Sequence, residues 1–172
     1  MSNNLTLVIG GAASGKSALA ENLVVNTHKS RVYLATARVL DREMEQKVAR
    51  HKEMRGAGWE TLETPLAPEK ILLQRTASEV VLLDCATMWL MNHLMDETDL
   101  NAAETALIAG LRASKADCVI VTNELGLGIV PADALSRRFR QKQGELNQHL
   151  AAAADTVVNI VAGLPNVLKG AL

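Results

Sequence analysis

The stretch Leu5-Thr6-Leu7-Val8-Ile9-Gly10-Gly11-Ala12-Ala13-Ser14-Gly15-Lys16-Ser17 decides the fold. An apolar run of strand length, Leu5–Ile9, enters a segment that fits G-x-x-x-x-G-K-[ST] at every fixed position. A helical pattern then leaves it over Lys16–Val25. Small residues are required in such a loop because backbone N–H groups must approach and surround phosphate oxygens, and the helix N-terminus behind them adds partial positive charge. Gly10, Gly11, Ala12, Ala13, Ser14, Gly15, Lys16 and Ser17 are therefore expected to cradle nucleotide phosphates. Lys16 is placed to reach the β- and γ-phosphates, and the Ser17 hydroxyl to bind Mg²⁺. The bland alternative is a glycine turn at a helix start. Ordinary residue frequencies make a chance match of four fixed positions, with a strand before and a helix after, rare.

Downstream, short apolar runs alternate with longer amphipathic ones. Val32–Thr36, Val80–Asp84, Cys118–Thr122 and Thr156–Val161 have strand length and β-branched content, and Trp59–Thr64 is a weaker candidate. Near-continuous apolar runs suit strands covered on both faces, as in a parallel sheet. Helical patterns fall near Asp41–Arg55, Cys85–Leu94, Ala102–Ser114 and Ala132–Ala154. Pro65 and Pro68 mark a turn, and Gly163–Pro165 is expected to end the last strand. The alternation predicts an α/β, three-layer P-loop NTPase-like fold with a mostly parallel central sheet. Residues 1–172 read as a single domain, without an internal repeat or a linker.

Composition agrees and excludes several classes. The 172 residues carry 18 basic and 19 acidic side chains, a formal charge of -1, so a large basic surface for nucleic acid is not expected. Residues are 48% hydrophobic but only 2% aromatic, which leaves Ala, Leu and Val to fill the core. Cys85 and Cys118 lie in or beside apolar runs and are too few for a disulfide framework or a four-thiolate zinc site. They read as buried free thiols of a reduced, cytoplasmic protein. The polar Met1–Asn4 segment makes a poor signal peptide, and no stretch approaches the ~20 apolar residues of a membrane span.

An acidic residue at the end of a second strand commonly holds the metal and its water in phosphate-loop folds. Asp84, closing Val80-Val81-Leu82-Leu83, fits that position, and an N-cap for the next helix is the competing role. The run Arg137, Arg138, Arg140 and Gln141 reads as a solvated helix face before it reads as a ligand patch.

A second feature is one histidine in a cationic setting. At about 100° per residue, Met44, Val48, His51 and Arg55 share one narrow helical stripe, with Lys47 and Lys52 at its borders. On its own His51 reads as a partly buried packing histidine before a catalytic one, and it is the cationic cluster that brings the two readings level. Neighbouring positive charge disfavours the imidazolium, and a neutral imidazole is what a nucleophile or base requires. The same cations suit a phosphate chain.

Four blocks now occur in order: the phosphate loop; Val32-Tyr33-Leu34-Ala35-Thr36-Ala37; Arg50-His51-Lys52-x-x-Arg55 with Trp59; and Val121-Thr122-Asn123-Glu124-Leu125-Gly126-Leu127-Gly128-Ile129-Val130-Pro131. With the tail from Arg138-Phe139-Arg140 to Asp155, the chain resembles the bifunctional adenosylcobinamide kinase/adenosylcobinamide-phosphate guanylyltransferases of cobalamin biosynthesis, from about Leu5 to Gly163. The resemblance implies two reactions. ATP or GTP phosphorylates adenosylcobinamide, and GTP then guanylylates a histidine whose GMP passes to adenosylcobinamide phosphate, giving adenosyl-GDP-cobinamide. It implies His51 and Lys16 as catalytic residues. Nucleotide contacts are implied at Gly10–Ser17, Ala35, Thr36, Ala37, Lys52, Glu53, Met54, Arg55, Glu63 and Asp84, with Mg²⁺ on Ser17 and Asp84. Its partners are adenosylcobinamide, its phosphate and the nucleotides, and its assembly is a homotrimer.

Three departures from the family pattern stand out: Ala13 where Arg is frequent, Asp84 where Glu is, and Gly56 where Pro is. A simple phosphate-loop kinase without a covalent step, and a nucleotide-sensing module without turnover, are the alternatives on residues alone.

Overall fold

The computed structural model describes residues 3–38 and 56–172. Seven strands form one sheet: β1 (Leu5–Gly10), β2 (Ser30–Ala35), β3 (Trp59–Glu63), β4 (Glu79–Asp84), β5 (Asp117–Asn123), β6 (Thr156–Val161) and β7 (Leu164–Lys169). The strand order is β3-β2-β4-β5-β1-β6-β7. Every neighbouring pair is parallel except β6 with β7. The described helices are α1 (Lys16–Val25), α2 (Pro68–Leu72), α3 (Ala86–Met95), α4 (Leu100–Ala113) and α5 (Ala134–Ala153).

The apolar runs are continuous because each inner strand is buried on both faces. Alternate residues sort to opposite sides. Val81 and Leu83 of β4, with Leu5, Leu7 and Ile120, meet Trp89, Leu90, Leu107, Leu111, Leu146 and Leu150 from α3, α4 and α5. Val80 and Leu82, with Val8, Val119 and Val121, meet Ala20 and Val24 of α1. The three-layer expectation is thus met, and Trp89 fills the larger core while its indole N–H donates to the Leu66 carbonyl at 3.0 Å. Asp99 and Asp133 cap α4 and α5, accepting from Ala102 N–H at 3.1 Å and Ser136 N–H at 2.7 Å.

Two elements depart from the sequence reading. Residues Gly163–Pro165 open a strand rather than only ending one: Ala162 and Gly163 both have positive φ (51° and 79°), and Val161 pairs with Leu164. That two-residue turn is of the kind that matches strand twist in a hairpin. Pro165 is tolerated because β7 is an edge strand. The Pro65–Pro68 turn leads straight into α2, with Pro68 at its first position, where a missing N–H costs nothing. The expected helix over Asp41–Arg55 lies outside the described residues.

Candidate nucleotide site

Parallel strands bring their C-terminal ends to one edge of the sheet, and that edge is where α/β folds bind ligands. Gly10, Ala35, Glu63, Asp84 and Asn123 are the last residues of β1, β2, β3, β4 and β5, and the pairing places Ala35 beside both Asp84 and Glu63. The phosphate loop, Ala35–Ala37, Glu63 and Asp84 therefore share one rim. His51, Lys52, Glu53, Met54 and Arg55 lie outside the described residues.

The loop itself is shaped by backbone conformation. Gly15 occupies the N-cap of α1 with φ 95°, a left-handed conformation that suits glycine, and Ala13 adopts φ 55°. A Cβ on Gly10 would strike the Ser14 hydroxyl, and one on Gly15 would come within 3.2 Å of Gly163 Cα. Gly163 N–H donates to the Ser14 carbonyl at 2.8 Å, so the β6–β7 turn braces the loop from outside. From the other side Glu124 N–H donates to the Gly10 carbonyl at 3.1 Å. The Ser14 hydroxyl oxygen is itself buried and has no protein partner.

Lys16 leads α1, and its ammonium donates to the Gly11 carbonyl at 2.9 Å, folded back over the loop. Burial holds its pKa below the ordinary lysine value, against the opposing fields of Cys85 and Asp84. Ser17 follows in the first turn, half-buried. Across the rim, Asp84 Oδ2 accepts from the Tyr33 hydroxyl at 2.8 Å. The N-cap of α3 is Cys85, which makes no side-chain capping bond, so Asp84 does not cap that helix. A carboxylate and a hydroxyl beside an ammonium are hard oxygen donors of the kind that hold Mg²⁺ with phosphates and waters completing its shell. Among the described residues no group of three or more His, Cys, Asp or Glu side chains forms a self-sufficient metal cage.

Ala35 and Ala37 are partly exposed and Glu63 is exposed at the rim, but Thr36 is fully buried. The Thr36 hydroxyl donates to the Cys85 carbonyl at 2.7 Å and accepts from Cys85 N–H at 2.8 Å, so it ties β2 to β4. The Asn92 amide adds donations to the carbonyls of Thr36 (2.8 Å) and Pro65 (2.9 Å). Of the two thiols expected to be buried, Cys118 is and Cys85 is only half-buried at this rim, where desolvation still pushes its thiol up to about 12.

The basic run on α5 has a role that neither sequence alternative named. The Arg140 guanidinium donates to the carbonyls of Leu125 (3.2 Å), Gly128 (3.4 Å) and Gly126, and that of Arg137 to those of Pro131 (3.1 Å) and Ala132 (2.5 Å). The two arginines hold the Glu124–Pro131 loop over a cavity of about 430 Å³ that Gln141, Gly144 and Gln148 also line. Leu127 and Ile129 of that loop stand 90% and 96% exposed. Buried Gln143, Asn147 and Thr122 hydrogen-bond to one another, with Gln143 Oε1 left without a protein partner among the described residues, and the Asn147 amide donates to the Asn123 carbonyl at 2.9 Å.

Sequence reasoning missed Tyr33 and Gly163 as parts of this site. Both act through pairings that only the sheet register creates.

The fold is similar to that of the RadB recombinase (TM-score 0.53, 16% identity, 91% of this chain and 73% of that one). It is also similar to a protein of Pyrococcus horikoshii OT3 (TM-score 0.58, 11% identity, 98% and 87% of the two chains). These likenesses bear out the α/β phosphate-loop class of fold. In sequence, the chain is 42% identical over 167 residues to the bifunctional adenosylcobalamin biosynthesis protein CobP of Pseudomonas aeruginosa, covering 95% of this chain and 96% of that one. It is 39% identical over 181 aligned positions to the bifunctional adenosylcobalamin biosynthesis protein CobU of Escherichia coli K12, covering 96% and 99%. The family model for cobinamide kinase / cobinamide phosphate guanyltransferase matches residues 6–168. With that match spanning the phosphate loop, the rim of the sheet and the hairpin that braces them, the chain belongs to the cobinamide kinase / cobinamide phosphate guanyltransferase family.

Proposed function

We propose that this chain phosphorylates adenosylcobinamide with ATP or GTP and then transfers GMP from GTP, through a GMP-histidine intermediate on His51, to adenosylcobinamide phosphate. The observation that carries the proposal is the family match across nearly the whole chain, on a fold whose phosphate loop, Lys16 and Asp84 meet at one sheet edge. In the first reaction Lys16 and the loop N–H groups hold and neutralise the triphosphate while the substrate hydroxyl takes the γ-phosphoryl group. Ser17 and Asp84 would hold Mg²⁺, which supplies further charge neutralisation on the phosphate oxygens.

In the second reaction a neutral His51 nitrogen attacks the α-phosphorus of GTP, a P–N bond forms, and pyrophosphate leaves. The phosphate oxygen of adenosylcobinamide phosphate then attacks the same phosphorus, the P–N bond breaks, and the imidazole is restored. Splitting the transfer in this way is the purpose of a covalent nucleophile. Lys52, Glu53, Met54, Arg55, Glu63, Ala35 and Ala37 complete the nucleotide contacts in this proposal, while Thr36, expected among them, has no exposed surface and acts by holding β2 to β4. A cytoplasmic homotrimer is part of it; the apolar side chains exposed at Leu127, Ile129, Leu164 and Leu168 support association of copies. No helix among the described residues is long and apolar enough to cross a membrane.

Labelled GTP separates this from a simple kinase. With the label on the α-phosphate, the protein is expected to retain acid-labile, base-stable GMP, and His51→Ala is expected to retain none. With the label on the γ-phosphate, adenosylcobinamide takes it up and the protein does not. Equal α-labelling of His51→Ala and parent would overturn the histidine assignment.

A further inference from the structure

The chain has a single tyrosine, Tyr33, and the structure aims it at Asp84. Tyr33 sits in β2 directly beside Leu82 of β4 and Thr61 of β3. Asp84 lies two residues beyond Leu82 and so projects from the same face of the sheet. A phenol ring leaning along the strand toward the C-terminal edge spans that offset, and its hydroxyl meets Asp84 Oδ2 at 2.8 Å. The lean is fixed from behind. Trp59 of β3 packs its ring edgewise against Tyr33, with centroids 6.2 Å apart and planes at 86°. Trp59 is in turn covered by the Arg31 guanidinium, 5.6 Å from its centroid. Tyr33 is only 6% exposed, within the cluster that α1 covers.

A short aspartate has two oxygens and two side-chain torsions with which to choose a direction. The Tyr33 hydroxyl occupies Oδ2, and among the described residues Oδ1 takes no hydrogen bond. Rotation of the carboxylate about its side chain is therefore restrained by a hydroxyl from the neighbouring strand. We propose that Tyr33 is a positioning residue for Mg²⁺-nucleotide binding: its hydroxyl fixes the Asp84 carboxylate so that Oδ1 serves the side of the rim shared with Lys16 and Ser17. The inference rests on the assignment of Asp84 to the metal side of the nucleotide. Anchoring matters more for Asp84 than for a longer glutamate, because an aspartate cannot recover lost reach by bending an extra methylene.

The test is equilibrium binding of a fluorescent GTP analogue with and without Mg²⁺, read as the ratio of the two dissociation constants. Tyr33→Phe keeps the ring and its packing and removes only the hydroxyl. Its ratio is expected to fall about tenfold, the scale of one charge-assisted hydrogen bond, with the Mg²⁺-free constant unchanged. Asp84→Asn is expected to abolish most of the Mg²⁺ effect. If Asp84→Asn loses it while Tyr33→Phe matches the parent, the positioning role is wrong and the Asp84 assignment stands. If Asp84→Asn keeps the full Mg²⁺ effect, the assignment fails and the positioning role with it.

A second measurement avoids substitution. With one tyrosine in the chain, 3-fluorotyrosine labels a single site, and its ¹⁹F resonance reports the Asp84 contact directly. That resonance is expected to move when Mg²⁺ is added to the nucleotide-bound protein and to lose this response in Asp84→Asn. A resonance indifferent to Mg²⁺ in the parent would overturn the proposal.

Discussion

Thr36 has no exposed surface, and its hydroxyl is used twice, as donor to the Cys85 carbonyl and as acceptor from Cys85 N–H. Replacing it by valine keeps the shape and leaves the Cys85 N–H without its partner, next to Asp84, while the Cys85 carbonyl keeps the Trp89 N–H at 3.2 Å. Such a loss costs about 1–3 kcal/mol, so Thr36→Val is expected to lower unfolding free energy by that amount in urea titration. Thr36→Ser, which keeps the oxygen, is expected to lose far less. Because the valine variant also releases the backbone that carries Asp84, its nucleotide affinity should fall alongside its stability. The block Leu34-Ala35-Thr36-Ala37 was legible as a part of the site from resemblance alone, but the use of its threonine was not. Nothing in a string of residues says which hydroxyl turns inward toward a neighbouring strand. Lys16 differs, since the loop pattern fixes its place, and its fold-back onto the Gly11 carbonyl follows from that geometry.

Among the elements, the β6–β7 hairpin braces the loop through its turn, although its outer strand buries nothing. All six residues of β7 are exposed, yet the turn before it supplies the Gly163 N–H that holds the Ser14 carbonyl at 2.8 Å. Gly163→Ala meets no atom within 4 Å, so its penalty is the positive φ alone, about 1–2 kcal/mol, and nucleotide binding is expected to survive. Gly15→Ala combines φ 95° with a Cβ 3.2 Å from Gly163 Cα, so backbone strain in the loop is joined by crowding against the turn. Calorimetric titration with a GTP analogue is expected to show loss of binding for Gly15→Ala and near-parent affinity for Gly163→Ala. The inner strands were readable because burial on both faces makes their runs uniformly apolar. The hairpin was not, since β7 has no buried face and contains Pro165, which argues against a strand except at an edge. The α5 run is largely a solvated face, as read, but the loop contacts of Arg137 and Arg140 were not legible for a related reason: their partners are backbone carbonyls, which carry no sequence signature.

At the scale of the whole molecule, the near-balanced charge conceals a pH dependence set by particular groups at each end of the range. Asp117 opens β5, where its Oδ1 accepts from Asn4 N–H at 2.9 Å and its Oδ2 pairs with Lys29 at 2.6 Å, tying β1 and the α1–β2 connection to the sheet. Burial favours its neutral form, but the Lys29 bond, the Asn4 N–H and the Lys29 charge outweigh it, and its pKa lies below the ordinary aspartate value. A folded pKa below the unfolded one means that the unfolded chain binds more protons as pH falls through the carboxylate range. The stabilisation is present above about pH 4 and is lost on descent toward the folded pKa. At the alkaline end the sign reverses. Burial pushes both Cys85 and Cys118 up to about 12, so an unfolded thiol ionises near pH 8.5 while the folded one stays protonated. Above about pH 9 the unfolded state binds fewer protons, and stability falls as pH rises. The melting temperature is therefore expected to fall on both sides of a plateau between about pH 5 and 8. Asp117→Asn should lower the plateau and flatten the acid limb, and Cys118→Ala should flatten the alkaline one. Thiol reagent added to the native protein at pH 8 is expected to leave Cys118 unmodified until denaturant exposes it. Rapid modification of Cys118 in the native protein at that pH would show that this thiol is not enclosed as the packing requires.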